Sequence, residues 1–185
     1  MSKGGMIVAS EPISGRVHKF GDNINTDLIN PAQYMELSMD EMIAHAMEGA
    51  DRGFAAHVKQ GDIMVAGKNF GSGSSRETAP MIIKGCGISV VIAEFFARIF
   101  YRNAINIGLK VLICPDAGGI QTGDILQVDP VNGVIFDKTT GKTYMSSKLP
   151  NHIMDLVNAG GLIPHLKDQL IEPPPAGSRW IRSRG

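Results

Sequence analysis

Cysteine and aromatic residues are scarce in this chain of 185 residues. It has two cysteines, one tryptophan and 6% aromatic residues in all. Cys86 and Cys114 lie far apart in apolar surroundings, which favours two buried free thiols over a disulfide framework or a metal knuckle. Since iron-sulfur clusters are commonly held by about four thiolates, these two cysteines cannot ligate one alone.

The chain also lacks an excess of charge of either sign. Its 18 basic and 18 acidic residues give a formal net charge of zero, which argues against electrostatic binding to nucleic acid or membranes. No apolar run approaches the length of a membrane span, and residues 1–11 lack the pattern of a signal peptide. We therefore expect a soluble, cytoplasmic protein.

The content that is present fits one compact α/β domain. A hydrophobic fraction of 43% is enough for a substantial core. We predict a single domain over residues 1–170 and an extended tail over 171–185, where three consecutive prolines occur. Apolar patterning predicts strands at 16–20, 63–66, 88–93, 110–114, 124–128 and 134–137, and helices at 39–58, 76–84, 95–107 and 150–160. A turn at 130–133 predicts a hairpin between the last two strands.

The segment 67–80, GKNFGSGSSRETAP, is the strongest candidate for a site. Gly73 permits close backbone approach, so Ser74, Ser75 and free helix amides can converge on a carboxylate or phosphate. Neither the third glycine of a dinucleotide fingerprint nor the Gly-Lys-Ser of a P-loop is present. A structural alternative stays open, in which a serine caps the helix and Arg76 pairs with a nearby acid.

Three segments carry a resemblance to a known family. Three segments resemble, in the same chain order, motifs of the small subunits of 3-isopropylmalate dehydratase: residues 20–27 (FGDNINTD), 69–80 (NFGSGSSRETAP) and 101–108 (YRNAINIG). Those proteins correspond to the swivelling domain of the aconitase superfamily. The resemblance implies a layered swivelling β/β/α domain and makes Arg102 and Asn103 secondary candidates for the site.

The resemblance also implies roles for individual residues. Ser74 matches the serine that, in aconitase-like enzymes, removes the proton next to a carboxylate while a cluster iron accepts the departing hydroxyl. Ser75 and Arg76, with Gly73, match residues that bind the substrate carboxylate, and Asp27 matches an aspartate that orients the site. Ser75 as a helix cap and Asp27 as an ordinary turn residue are the structural alternatives.

The resemblance further implies a partner, in which the large catalytic subunit carries a 4Fe-4S cluster and this chain holds no metal. The pair would form a heterodimeric hydro-lyase that isomerises 2-isopropylmalate and 3-isopropylmalate in leucine biosynthesis. The alternative hypothesis is that the chain is not part of an enzyme and binds an anion without catalysis.

Substrate preference is expected to depend on Met35, Glu36 and Leu37. Relatives that act on tricarboxylates place an arginine in this loop, and none is present here. Met35 and Leu37 suit a branched alkyl group, and Glu36 would repel a third carboxylate, which disfavours aconitate and homoaconitate. The loop departs from those of isopropylmalate enzymes and Thr78 replaces the family's usual histidine, so 2,3-dimethylmalate and citramalate remain alternatives.

Overall fold

A computed structural model describes residues 12–171 of the chain. Its centre is one sheet of seven strands in the order β4-β3-β2-β1-β5-β6-β7. The strands β1 to β4 are parallel, and β5 to β7 continue the sheet as antiparallel neighbours. The strands are β1 Ile13–Lys19, β2 Ile63–Ala66, β3 Val90–Ala93, β4 Lys110–Ile113, β5 Ile125–Asp129, β6 Val134–Asp137 and β7 Thr143–Met145.

The two halves of the sheet differ in how they are covered. Every residue of β2 and β3 is buried, as is typical of parallel strands that are packed on both faces. The antiparallel strands β5 and β6 instead alternate buried with more exposed residues, so that one of their faces packs on the core. The α/β fold class expected from the sequence is confirmed.

Within residues 12–171, seven helices pack around this sheet. They are α1 Thr26–Ile29, α2 Met39–Ala44, α3 Phe54–His57, α4 Thr78–Gly85, α5 Arg98–Asn106, α6 Asn151–Asn158 and α7 Leu162–Ile171, with 3-10 helices at Ala32–Tyr34 and Ala117–Gly119. Among residues 12–171, none of the helices combines the length and the apolar character that crossing a bilayer requires.

The parallel strands determine where a site can form. Because β1, β2 and β3 run in one direction, the segments that follow them leave the sheet at the same edge. The segment 20–27 follows β1, residues 67–77 follow β2, and residues 94–97 follow β3. Two of the three sequence motifs thus meet at the carboxyl edge of the sheet.

Several predicted elements need correction. The helix predicted over 39–58 is wrong, because α2 ends at Ala44 and only α3 is helical again. Met47 has a φ of 61°, and a side chain at Gly49 would come within 2.7 Å of the Cα of Leu28, so this stretch turns against α1. The elements α1, β7 and α7 were not predicted. The expected tail began at residue 171, which belongs to α7, and its remainder lies outside the described residues.

Candidate active site

The glycine-rich segment joins β2 to α4 as a tight turn. Gly71 and Gly73 have φ angles of 78° and 101°, which side-chain-bearing residues rarely adopt. A Cβ on Gly71 would overlap the ring of Phe100, so the backbone approaches α5 more closely than any other residue would allow. A Cβ on Gly73 would lie 3.0 Å from the hydroxyl oxygen of Thr26. Both glycines are therefore needed for this turn to approach its neighbours.

The segment after β1 lies directly beside this turn. Gly71 donates its backbone N–H to the carbonyl of Ile24 at 2.7 Å, and Thr26 donates to the carbonyl of Ser72 at 2.8 Å. Asn25 and Ser72 form an isolated parallel bridge between the two segments. The structure thereby brings together two motifs that are far apart in the sequence.

Arg76 is fixed by contacts to the segment that follows β1. Its Nη2 lies 2.7 Å from Oδ1 of Asp27, and its Nη1 donates to the carbonyl oxygen of Asn30 at 3.0 Å. The Arg76 side chain is only 14% exposed, whereas that of Asp27 is 62% exposed. Since a guanidinium carries five N–H donors, these contacts leave donors for the carboxylate of a ligand.

The two serines are available rather than engaged in capping. Ser74 and Ser75 are exposed, and neither hydroxyl makes a hydrogen bond within the described residues. The cap position of α4 is occupied by Glu77, and no side chain makes a capping hydrogen bond there. The helix-cap alternative for Ser75 is therefore wrong. The other half of that alternative, an acid paired with Arg76, is present as Asp27.

Two buried polar side chains lie under the turn, and the sequence did not predict them. Thr26 and Asn30 are 2% and 1% exposed, and Asn30 Nδ2 donates to the Thr78 hydroxyl at 3.4 Å and to the Met42 sulfur at 3.5 Å. Among the described residues, Oγ1 of Thr26 and Oδ1 of Asn30 are buried without a hydrogen-bond partner. Such atoms are rare in folded proteins. The signal in the sequence was an asparagine placed between Ile29 and a proline in an otherwise apolar run.

The proposed specificity loop is anchored beside the site but is open to solvent. The ring of Tyr34 stacks on that of His45 at 3.9 Å, and His45 Nδ1 lies 2.6 Å from a carboxylate oxygen of Glu48. The hydrogen bond from His45, helped by one from Tyr34, lowers the pKa of Glu48. Met35 and Leu37 are exposed. No hydrogen bond or ion pair of the described chain joins residues 35–37 to 73–76, so their shared pocket stays a prediction.

The thiols do not form a cluster site. Cys86 and Cys114 are free, and burial raises the pKa of Cys86 to about 11 and that of Cys114 above its ordinary value. Within residues 12–171, no group of three or more His, Cys, Asp or Glu side chains is placed to hold a metal ion. The donor atoms of this part of the chain therefore do not fit an iron-sulfur cluster.

Comparison with known proteins defines the class. Residues 16–116 match the aconitase C-terminal domain family. With more than half of the chain matched, and with relatives about half identical to it, the chain belongs to that family.

Individual relatives give a more specific match. The small subunit of 3-isopropylmalate dehydratase from Heliobacterium modesticaldum is 52% identical over 161 residues, covering 86% of this chain and 97% of the relative. The isopropylmalate/citramalate isomerase small subunit of Methanocaldococcus jannaschii is 51% identical over 162 residues, covering 86% and 96%. A crystal structure of 3-isopropylmalate dehydratase from the same organism superposes with a TM-score of 0.82 at 44% identity, again covering 86% of this chain and 96% of that one. The resemblance inferred from the sequence motifs is thus confirmed.

Proposed function

We propose that this chain is the small subunit of a two-chain hydro-lyase that interconverts 2-isopropylmalate and 3-isopropylmalate by dehydration and rehydration, in leucine biosynthesis. The observation that carries this function is the ion pair of Arg76 and Asp27 next to two exposed serines in a glycine-rich turn. The names of relatives that are about half identical to it support the same conclusion.

Ser74 is the proposed base. It removes the proton on the carbon next to a substrate carboxylate as the hydroxyl leaves the neighbouring carbon, so that the substrate loses water overall. On rehydration the hydroxyl is added to the carbon that lost the proton, and the proton is added to the carbon that lost the hydroxyl. A neutral serine hydroxyl is a weak base and its anion is hard to form in water, so positive charge and hydrogen-bond donors must stabilise that anion. The guanidinium of Arg76 can supply positive charge and N–H donors, and Arg76 lies two residues away in the same turn.

Arg76 and Ser75 are the proposed carboxylate-binding residues, and Gly73 leaves room for the substrate at the backbone. A guanidinium binds a carboxylate through two parallel hydrogen bonds, which fixes the reacting carbon as well as the charge. Asp27 holds the other side of the same guanidinium at 2.7 Å. We assign Asp27 a positioning role through Arg76, because the structure provides contact to that side chain.

The partner is the large subunit that the names of the relatives imply. We propose that the 4Fe-4S cluster of this enzyme class resides there. Two free cysteines fit a reducing compartment, and we propose that the assembled enzyme works in the cytoplasm.

Citramalate is the second candidate substrate. One relative at 51% identity is named for both isopropylmalate and citramalate. Both molecules are malates with an alkyl group on one carbon, and Met35 and Leu37 offer apolar contacts to such a group. Glu36 disfavours a substrate with a third carboxylate at the same place.

The test is an anaerobic reconstitution. The chain is co-purified with the large subunit from the same organism and the cluster is rebuilt. Absorbance of the unsaturated intermediate is then followed with isopropylmalate, citramalate and 2,3-dimethylmalate in parallel. Turnover of isopropylmalate is the expected result. Turnover of another malate alone would keep the mechanism and change the pathway, and a stable complex that is silent on every malate would favour an anion-binding module.

A further inference from the structure

One face of α5 and the residues before it form an apolar groove with a positive rim. Phe95, Arg98, Ile99 and Arg102 are all exposed and line the same groove. Phe95 precedes α5, and the other three lie on it, where Arg102 is a neighbour of both Arg98 and Ile99 on the helix surface. Phe95 is 54% and Ile99 48% exposed, which is high for large apolar side chains. The groove has a volume of about 580 Å³, and its other lining residues are Phe96, Tyr101 and Ile113.

The two arginines on this face have no bonding partner within the described part of the chain. Arg98 and Arg102 make no hydrogen bond or ion pair there. Aromatic residues and arginine are the residue types that protein interfaces favour, and exposed apolar clusters with polar rims mark such interfaces. Two unpaired cations beside apolar side chains match a partner surface that offers carboxylates around an apolar centre.

The groove adjoins the candidate active site. Phe70, within the glycine-rich turn, donates its N–H to the carbonyl of Phe95 at 3.0 Å and accepts from the N–H of Ala97 at 2.9 Å. The ring of Phe100 lies under Gly71 and contacts Phe70 with a centroid distance of 5.1 Å. A chain that reaches across the turn to complete the site therefore meets Phe95 and the first turn of α5 next.

We propose that the face of Phe95, Arg98, Ile99 and Arg102 is the docking surface for the large subunit. The apolar side chains pack against apolar residues of that subunit, and the two arginines pair with its carboxylates. The identity of the occupant rests on the proposed function, because the candidate site needs a second chain that brings the metal chemistry. The surface itself follows from the exposure and charge of these four residues.

The test measures binding without turnover. Titration calorimetry of the purified large subunit is compared for the wild-type chain, Ile99→Glu and the double variant Arg98→Glu/Arg102→Glu. Matched controls are Phe136→Glu, at a phenylalanine that is 40% exposed on β6, and Lys138→Glu just beyond that strand. Each variant's thermal unfolding is recorded first.

We expect Ile99→Glu and the arginine pair to raise Kd about 10-fold or more, as central interface residues do, while both controls stay near the wild-type value. The arginine variant should also lose the dependence of the association rate on salt. Should Ile99→Glu unfold, the arginine variant carries the test, because exposed arginines without partners contribute little to the fold.

Wild-type affinity in both variants would overturn the proposal. So would a wild-type small chain that is dimeric by light scattering and becomes monomeric in Ile99→Glu, since the face would then bind a second copy. A wild-type complex that forms through this face but turns over no malate would refute the proposed function and leave the docking surface standing. An active wild-type complex that neither variant weakens would refute the docking surface and leave the proposed function standing.

Discussion

Arg76 and Asp27 form an ion pair in which Nη2 and Oδ1 are 2.7 Å apart, although the two residues belong to different motifs of the sequence. The carbonyl oxygen of Asn30 accepts from Nη1 of the same guanidinium at 3.0 Å. Arg76 is mostly buried and Asp27 mostly exposed. The pair therefore orients the arginine from one side and leaves its remaining donors for a ligand.

Asp27→Asn is expected to raise KM about 10-fold while kcat falls less, because Arg76 loses its charged anchor but keeps its own charge. Unfolding free energy should change by less than about 1 kcal/mol, since one partner of the pair is well exposed. Steady-state kinetics of the assembled enzyme and thermal unfolding of the chain check both numbers. A large loss of stability with an unchanged KM would make the pair a structural contact only.

Arg76→Lys tests the other partner. A lysine keeps the charge but cannot form two parallel hydrogen bonds, so we expect KM to rise about 100-fold, more than for Asp27→Asn. Equal KM values for the lysine variant and the wild type would remove Arg76 from the carboxylate site.

Ser74→Ala is expected to lower kcat about 1000-fold or more, with the complex still assembled, because the proposed base is removed. Ser75→Ala is the matched control in the same exposed turn, and it should raise KM more than it lowers kcat. Turnover by the reconstituted enzyme is measured in both directions of the isomerisation. Near-normal turnover of Ser74→Ala would show that another group takes the proton.

Gly71→Ala tests the turn that carries the site, and Gly141→Ala is its matched control. Their φ angles are 78° and 74°, but a Cβ at Gly71 would overlap Phe100, whereas nothing lies within 4 Å of one at Gly141. Gly141→Ala should therefore cost about 1–2 kcal/mol of strain alone. Gly71→Ala should cost more by about 1–3 kcal/mol for the overpacking and should also reduce turnover. Denaturant unfolding gives the difference, and equal costs would mean that α5 moves away freely.

The sequence predicted the parts of the fold that local patterns determine. The strand β2 is a short apolar run between Asp62 and Gly67, and it has the predicted limits. The turn at 130–133 connects β5 to β6 as expected. The break between α2 and α3 could not be predicted in this way, because it depends on Gly49 packing against Leu28 in another element.

The candidate site shows the same division. The motifs identified Ser74, Arg76 and Asp27, and the structure adds that the last two are partners. Asn30 was missed, since neither its burial nor its contacts to Arg76 and Thr78 follow from local spacing. The hydrogen bond that Asn30 donates to the Thr78 hydroxyl also places Thr78 under the turn.

The two cysteines should react slowly in the folded chain. Burial raises the pKa of Cys86 to about 11, so at pH 8 the thiolate is scarce. Ellman's reagent should label the native chain much more slowly than the chain in guanidinium chloride. The raised pKa of Cys86 also makes the free energy of unfolding depend on pH. Between the ordinary cysteine pKa of about 8.5 and the folded-state value of about 11, the thiol ionises in the unfolded chain but not in the folded one. The free energy of unfolding therefore falls as pH rises through this range. Rapid native labelling would contradict the burial.

Met35 is the residue through which substrate choice can be tested with least damage to the fold. Its side chain is 46% exposed on the loop between the 3-10 helix Ala32–Tyr34 and α2, so truncation leaves no buried cavity. If Met35 contacts the alkyl group, Met35→Ala should lower kcat/KM for isopropylmalate more than for citramalate, because citramalate has only a methyl group at that position. Losing such a contact is worth about 1 kcal/mol, which predicts a 3- to 10-fold fall in the ratio of the two kcat/KM values.

Met145→Ala is the matched control for this test. Met145 is 57% exposed on β7, at the end of the sheet away from the parallel strands. Its truncation should leave both kcat/KM values unchanged. A fall of equal size for both substrates in Met35→Ala would mean that the loop contributes to assembly with the large subunit rather than to selectivity. An unchanged ratio together with unchanged rates would remove Met35 from the substrate pocket and direct the search to Leu37, the other exposed apolar side chain of the loop.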